Sequence, residues 1–158
     1  MNILCDEMLK GLARWLRAAG HDTEIANNGD EDRDLLARAR VSGRTLVTRD
    51  RKLLEHRGAQ NHVCLLECNN LETCALDLAN QTGLDWQYQP FTRCLLCNTP
   101  LTTLQDRHRN DIPADVMHKP LSYCPKCDRV YWEGAHVRRM RKRLQHWDEL
   151  SKREAWQA

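Results

Sequence analysis

Apolar positions along the first half of the chain switch repeatedly between strand-like runs and a helical period. Residues Asn2 to Cys5 read as a short buried strand, after which Leu9, Leu12, Ala13, Leu16 and Ala19 recur at helical spacing until Gly20 stops the helix. Thr23 and Ile25 suggest a second, shorter strand. The polar turn Asn27 to Asp32 then opens a second helix carrying Leu35, Leu36 and Ala39, which Gly43 closes. Thr45 to Thr48 read as a third strand ending at Arg49-Asp50, followed by a short helix over Arg51 to His56. His62 to Leu66 read as a fourth strand, and Asn70 caps a helix running to about Thr82, with Gly83 at its end. Strands and helices alternating through short connections predict an α/β fold: a parallel sheet with helices on both faces.

The pattern changes after Gly83. Asp85 to Pro90 reads as a linker, dividing the chain into residues 1–89 and residues 90–158. From about Gly134 the sequence becomes helical and basic, with Arg138, Arg139, Arg141, Lys142 and Arg143 close together. Between these landmarks lie Cys94-Leu-Leu-Cys97 and Cys124-Pro-Lys-Cys127, separated by 26 residues. Two such pairs suit a structural zinc ion, since each places two thiolates on a tight knuckle and the four complete a tetrahedron. The long gap implies an inserted polar loop, Gln105 to Lys119. The competing readings are redox pairs, which normally sit between strand and helix of a βαβ unit, and a disulfide, which needs an oxidising compartment.

Composition adds limits. The chain has 158 residues, 41% hydrophobic and 29% charged, with a net charge of +2, so any basic surface is local. The opening residues lack a signal-peptide pattern, and no apolar run approaches the ~20 residues of a membrane span. The expectation is a cytoplasmic protein whose thiols stay reduced. Cys5 and Cys64 then read as small core residues. Cys68 and Cys74 are left over, and their spacing supports no second metal site.

In an open parallel sheet, ligands bind beyond the carboxyl ends of the strands. Asp6 follows the first strand and Asp50 the third; the acidic turn adds Asp30, Asp32 and Asp34. Such a carboxylate set suits Mg²⁺ or Mn²⁺ held against a phosphodiester, and Asp6, Asp50 and Asp34 are the candidates. Each also precedes or opens a helix, where Asp serves as an N-cap or suits the helix dipole. A phospho-receiver domain would place acids similarly but needs a later lysine, and none occurs between Lys52 and Lys119.

Taken together, Cys5-Asp-Glu-Met-Leu-Lys-Gly-Leu-Ala-Arg-Trp-Leu-Arg-Ala-Ala-Gly20, Thr45-Leu-Val-Thr-Arg-Asp-Arg51 and Tyr123-Cys-Pro-Lys-Cys-Asp-Arg-Val-Tyr-Trp-Glu-Gly-Ala-His136 resemble the Mut-seven C-terminal RNase domain, a branch of the PIN-like nucleases. The resemblance runs from Asn2 to about Met140. It implies a metal-dependent endoribonuclease fold with acids matching Asp6, Asp34 and Asp50, and a zinc ribbon that helps hold RNA. PIN domains generally carry a fourth acid after a later strand, and the candidate here is Glu67.

Basic residues supply the sequence-independent part of nucleic-acid affinity, and rings beside arginines stack exposed bases. The five basic residues of the last helix, with Trp132 and His136, are therefore the candidate RNA contacts. Solvated charges and a Trp132 packed on the knuckle are the alternatives. His136 has three possible roles, as zinc ligand, RNA contact or proton donor, and the four cysteines leave the first least room. His108 and His118 read as surface residues. Arg14, Arg17 and Arg49, the last beside Asp50, are candidates for holding a scissile phosphate. The sequence thus reads as a metal-dependent ribonuclease. The alternatives are a non-catalytic RNA- or ribosome-binding protein and, ranked last, a component working with a protein partner.

Overall fold

The computed structural model describes residues 1–104 and 112–155. His108 and the first part of the expected Gln105–Lys119 loop, residues 105–111, lie outside them; His118 is exposed.

The first half is a four-stranded parallel sheet built from β1 (Asn2–Cys5), β2 (Asp22–Ile25), β3 (Thr45–Thr48) and β4 (Val63–Leu65), in the order β2-β1-β3-β4. Helices α1 (Lys10–Ala18) and α2 (Asp32–Ser42) make the first two crossovers, two 3-10 turns (Arg51–Glu55 and Ala59–Asn61) make the third, and α3 (Leu71–Thr82) follows β4. Because successive side chains of a strand point to opposite faces, the sheet has two cores. Ile3, Cys5 and Val47 pack with Leu12, Leu16, Ala75 and Leu78 of α1 and α3. Leu4 and Leu46 pack with Leu35 and Ala39 of α2 and with Leu53. The chain reverses direction across the sheet between β1 and β3, so the crevice at their carboxyl ends is the topological switch point.

The helix boundaries follow local chemistry. Asn70 and Thr73 form a reciprocal capping box at the start of α3. Gly20 ends the α1 turn with φ +94°, and a Cβ there would lie 2.2 Å from the Gln89 carbonyl oxygen. Only glycine lets residues 89–91 lie against the end of α1, where Gln89 and Phe91 donate to Ala19 and Ala18.

Residues 85–90, which the sequence offers as a linker, pack against the α/β half. Trp86 is fully buried, and Asp85 accepts a 2.8 Å hydrogen bond from His21 Nε2. The segment is polar by count, but of its two aromatic rings Trp86 is core, while Tyr88 is exposed and stacks on His21.

The second half holds a small antiparallel sheet, β5 (Thr102–Thr103), β6 (Leu121–Cys124) and β7 (Arg129–Trp132), then helix α4 (Ala135–Ala155). Met140, Leu144 and Trp147 of α4 enter the same core as α1 and α3. Trp147 packs edge-on to Trp15 and Trp86, with centroids 5.0 and 5.1 Å away. Among the described residues no helix is long and apolar enough to cross a membrane.

Candidate active site and metal centre

The four knuckle cysteines converge. Their sulfurs all lie within 4.8 Å of one another, with Cys94 to Cys127 at 3.8 Å and Cys97 to Cys124 at 3.4 Å. A tetrahedron with ~2.3 Å zinc–sulfur bonds has edges of about 3.8 Å, so the cluster fits zinc. The two knuckles share one backbone solution. Asn98 and Asp128, each following the second cysteine of its pair, take φ +70° and +53°, a left-handed conformation that Asn and Asp tolerate. Burial pushes the Cys97 thiol up, but hydrogen bonding with Thr99 and the neighbouring cysteines outweighs it and brings the group down to about 6. Tyr131 places its hydroxyl 3.0 Å from the Cys94 sulfur.

The remaining cysteines divide. Burial raises Cys5 to about 12 and Cys64 to about 11, so both are inert core thiols, as the strand pattern implied. Cys68 and Cys74 are joined in a disulfide, with Cα atoms 4.9 Å apart. This corrects the expectation that every thiol outside the knuckles stays reduced: the turn into α3 brings the two together, which sequence spacing alone does not reveal.

The first knuckle is bound to the α/β half through Arg17, a residue the sequence offered as a phosphate contact. Arg17 is only 6% exposed. Its Nε donates to the Thr23 carbonyl at 2.9 Å, and its Nη1 donates to the carbonyls of Leu95 at 3.2 Å and Leu96 at 2.7 Å. Beside it Asn98 accepts from the Thr23 amide and donates to Asp22, which also pairs with Arg44 and Arg93. Arg17 is a clamp between β2 and the knuckle, inaccessible to a phosphate.

At the switch point Asp6 and Asp50 are connected through one hydroxyl. Thr48 Oγ1 donates to Asp6 Oδ2 at 2.8 Å and accepts from the Asp50 amide at 3.0 Å. The capping alternative separates the two acids. Asp6 makes no side-chain cap, although a 3-10 turn begins directly after it. Asp50 does cap its turn, accepting from the Lys52 amide at 2.9 Å through Oδ1. Among the described residues each therefore retains an oxygen with no hydrogen-bond partner. Asp34 stands exposed in the first turn of α2, and no hydrogen bond joins it to either acid. Among the described residues only the four cysteines place three or more ligand atoms within 4.8 Å, so the three carboxylates do not form so tight a group. Glu67 is exposed and pairs with Arg51 at 2.8 Å. Arg49 is exposed beside Asp50 and makes no ion pair among the described residues.

The basic helix is less free than its sequence suggests. The Arg141 guanidinium lies 4.9 Å from the Phe91 ring centroid, and that of Arg143 sits over Trp15 and Trp147 at 5.7 and 5.6 Å. Arg138, Arg139, Lys142 and His136 are exposed. Trp132 is 37% exposed at the rim of a groove of about 440 Å³ that Arg14, Leu96 and Arg129 also line. Arg129 and Leu96 were not singled out from the sequence. Both follow directly from the knuckles, one inside the first and one just after the second, which is the signal that could have found them.

The fold thus joins a parallel α/β sheet, with Asp6 and Asp50 at the ends of neighbouring strands, to a four-cysteine cluster that could hold zinc. The chain belongs to the Mut7-C RNAse domain family, whose model matches residues 1–144. A human protein named exonuclease mut-7 homolog is 44% identical over 46 residues, which are 29% of this chain and 5% of that protein. The match thus spans a small part of that relative's length. No solved structure matches the chain.

Proposed function

We propose that the protein is a metal-dependent ribonuclease, acting as an endonuclease, with the sheet's switch point as its active site. The observation that carries this reading is the Thr48 hydroxyl, which donates to the Asp6 carboxylate and accepts from the Asp50 backbone amide at the ends of two neighbouring strands, while among the described residues Asp6 Oδ1 and Asp50 Oδ2 have no hydrogen-bond partner. Hard carboxylate oxygens suit Mg²⁺ or Mn²⁺. Asp6 and Asp50 would hold the ion directly. Asp34, exposed in the first turn of α2, would be the third carboxylate for the ion. A divalent ion in this position supplies a nucleophilic water and neutralises charge on the phosphodiester. Arg49, exposed beside Asp50, holds the phosphate in line. The RNA lies along the groove of Arg14, Arg129 and Trp132, with Trp132 stacking a base and Arg138, Arg139 and Lys142 countering phosphates farther along. Arg141 and Arg143 contribute charge from their ring-stacked positions, and His136 lies on the same exposed helix start. Zinc in the four cysteines is structural.

The test compares the parent with Asp6→Asn on single-stranded RNA in Mn²⁺ or EDTA, mapping fragment ends. The parent should cut internally only with the divalent ion, and a folded Asp6→Asn should be inactive yet bind RNA. Equal cleavage by the two would refute the assignment. Salt-sensitive binding by both, with no cleavage by either, would favour a non-catalytic RNA-binding protein.

A further inference from the structure

We propose a second RNA-binding site, specific for the sugar–phosphate backbone, in the cleft between α2 and residues 56–62 on the sheet face opposite α1, α3 and α4. This inference rests on the ribonuclease reading. The cleft has a volume of about 380 Å³ and is lined by Arg33, Arg40, Arg57, His56 and His62 with no carboxylate in its wall. Arg33 and Arg40 are seven positions apart on α2, so they share a helix face. Leu36 and Ala37 between them form an apolar floor.

What separates these arginines from their neighbours is the lack of any hydrogen-bond or ion-pair partner among the described residues. Arg38 and Arg44 are committed to Glu24, Asp30 and Asp22. Among the described residues the guanidiniums of Arg33, Arg40 and Arg57 make no hydrogen bond or ion pair, although the chain carries 22 acidic residues. Three unpaired guanidiniums converging on one cleft repel each other, an arrangement that an anion relieves. The rim of the cleft reaches the acidic edge of the sheet: Arg33 directly precedes Asp34, and His56 Nε2 is 3.9 Å from Asp32 Oδ2 in the first turn of α2.

The Trp132 groove and this cleft lie on opposite sides of the sheet, because α1 belongs to one core and α2 to the other. An RNA strand crossing the carboxyl edge would be held on both sides of Asp6 and Asp50. The two grips differ in chemistry. The Trp132 side offers a ring for bases. The α2 cleft offers only cations and a shallow apolar floor, so it takes phosphates without reading sequence.

The experiment uses the full chain with two single-stranded RNAs, of about 30 and about 6 nucleotides, the shorter unable to span both grooves. The triple variant Arg33→Ala/Arg40→Ala/Arg57→Ala should melt like the parent and process the short RNA at the parent rate. It should bind the long RNA about tenfold or more weaker, and the slope of log affinity against log salt should fall by about 2, near ~0.7 for each of three phosphate contacts. The corresponding triple Lys variant should keep most of the slope. Unchanged affinity and slope on long RNA, with a parent that binds it, would overturn this site and leave the ribonuclease reading intact. A parent that neither binds nor cuts either RNA would remove both.

Discussion

Replacing Arg17 with Met keeps most of its volume and removes all its donors. Three carbonyls lose a partner: Thr23 at 2.9 Å, Leu95 at 3.2 Å and Leu96 at 2.7 Å. Hydrogen bonds from a charged donor contribute about 1.5–3 kcal/mol each. The full sum is not reached, because Leu95 and Leu96 share one nitrogen and lie where water can replace it. Burial also disfavours the guanidinium's charged form, pulling its pKa below the usual arginine value, and that cost disappears with the charge. The net loss should be about 3 kcal/mol, which lowers the melting temperature by roughly 6–12 °C for a domain of this size. Because two of the three acceptors sit inside the first knuckle, zinc affinity should weaken as well, about tenfold for each ~1.4 kcal/mol felt there. The assay is thermal melting by circular dichroism together with competition for zinc against a chromogenic chelator. Arg17→Lys should rescue little, since one ammonium cannot reproduce the planar fork. A variant that melts within about 2 °C of the parent and holds zinc equally would refute the clamp.

Other outcomes follow from the same geometry. His21 is 2% exposed and its pKa is depressed to about 4, chiefly by burial. The unfolded chain therefore binds a proton that the folded chain refuses, and stability should fall as pH drops from about 6.5 towards 4, by roughly 3 kcal/mol in total. Chemical denaturation across that window checks it, and His21→Gln should flatten the slope. Trp147→Ala should cost about 3–5 kcal/mol by emptying the space between Trp15 and Trp86, and would be read in urea unfolding curves. Stripping the metal with a strong chelator should release one zinc per four knuckle cysteines and melt β5 to β7. It should leave the parallel sheet folded, which hydrogen exchange would resolve by segment.

The elements whose cause is local were legible in the chain. Hydrophobic period, the glycines after α1, α2 and α3, and the Asn70 cap place strands and helices within a residue or two. The Cys-x-x-Cys spacing announces the metal knuckles because each pair is completed within four positions. Asp6 and Asp50 could be marked because strand ends are readable and parallel topology brings them to one edge. What the sequence could not supply depends on partners far apart along the chain. Whether Asp6 caps its turn depends on Thr48, 42 positions away. Arg17 looks like any helix-surface arginine until residues 78 and 79 positions later fold over it. Trp86 sits in a polar stretch and becomes core only because α4 returns to cover it. The partnerless arginines of the α2 cleft are indistinguishable in sequence from the paired ones beside them. The sequence by itself determined the secondary elements, the four cysteines that converge and the strand ends that carry Asp6 and Asp50. Tertiary structure alone decided which charges are spent inside the fold and which stay exposed, since a side chain's partner is set by three-dimensional proximity and not by spacing along the chain.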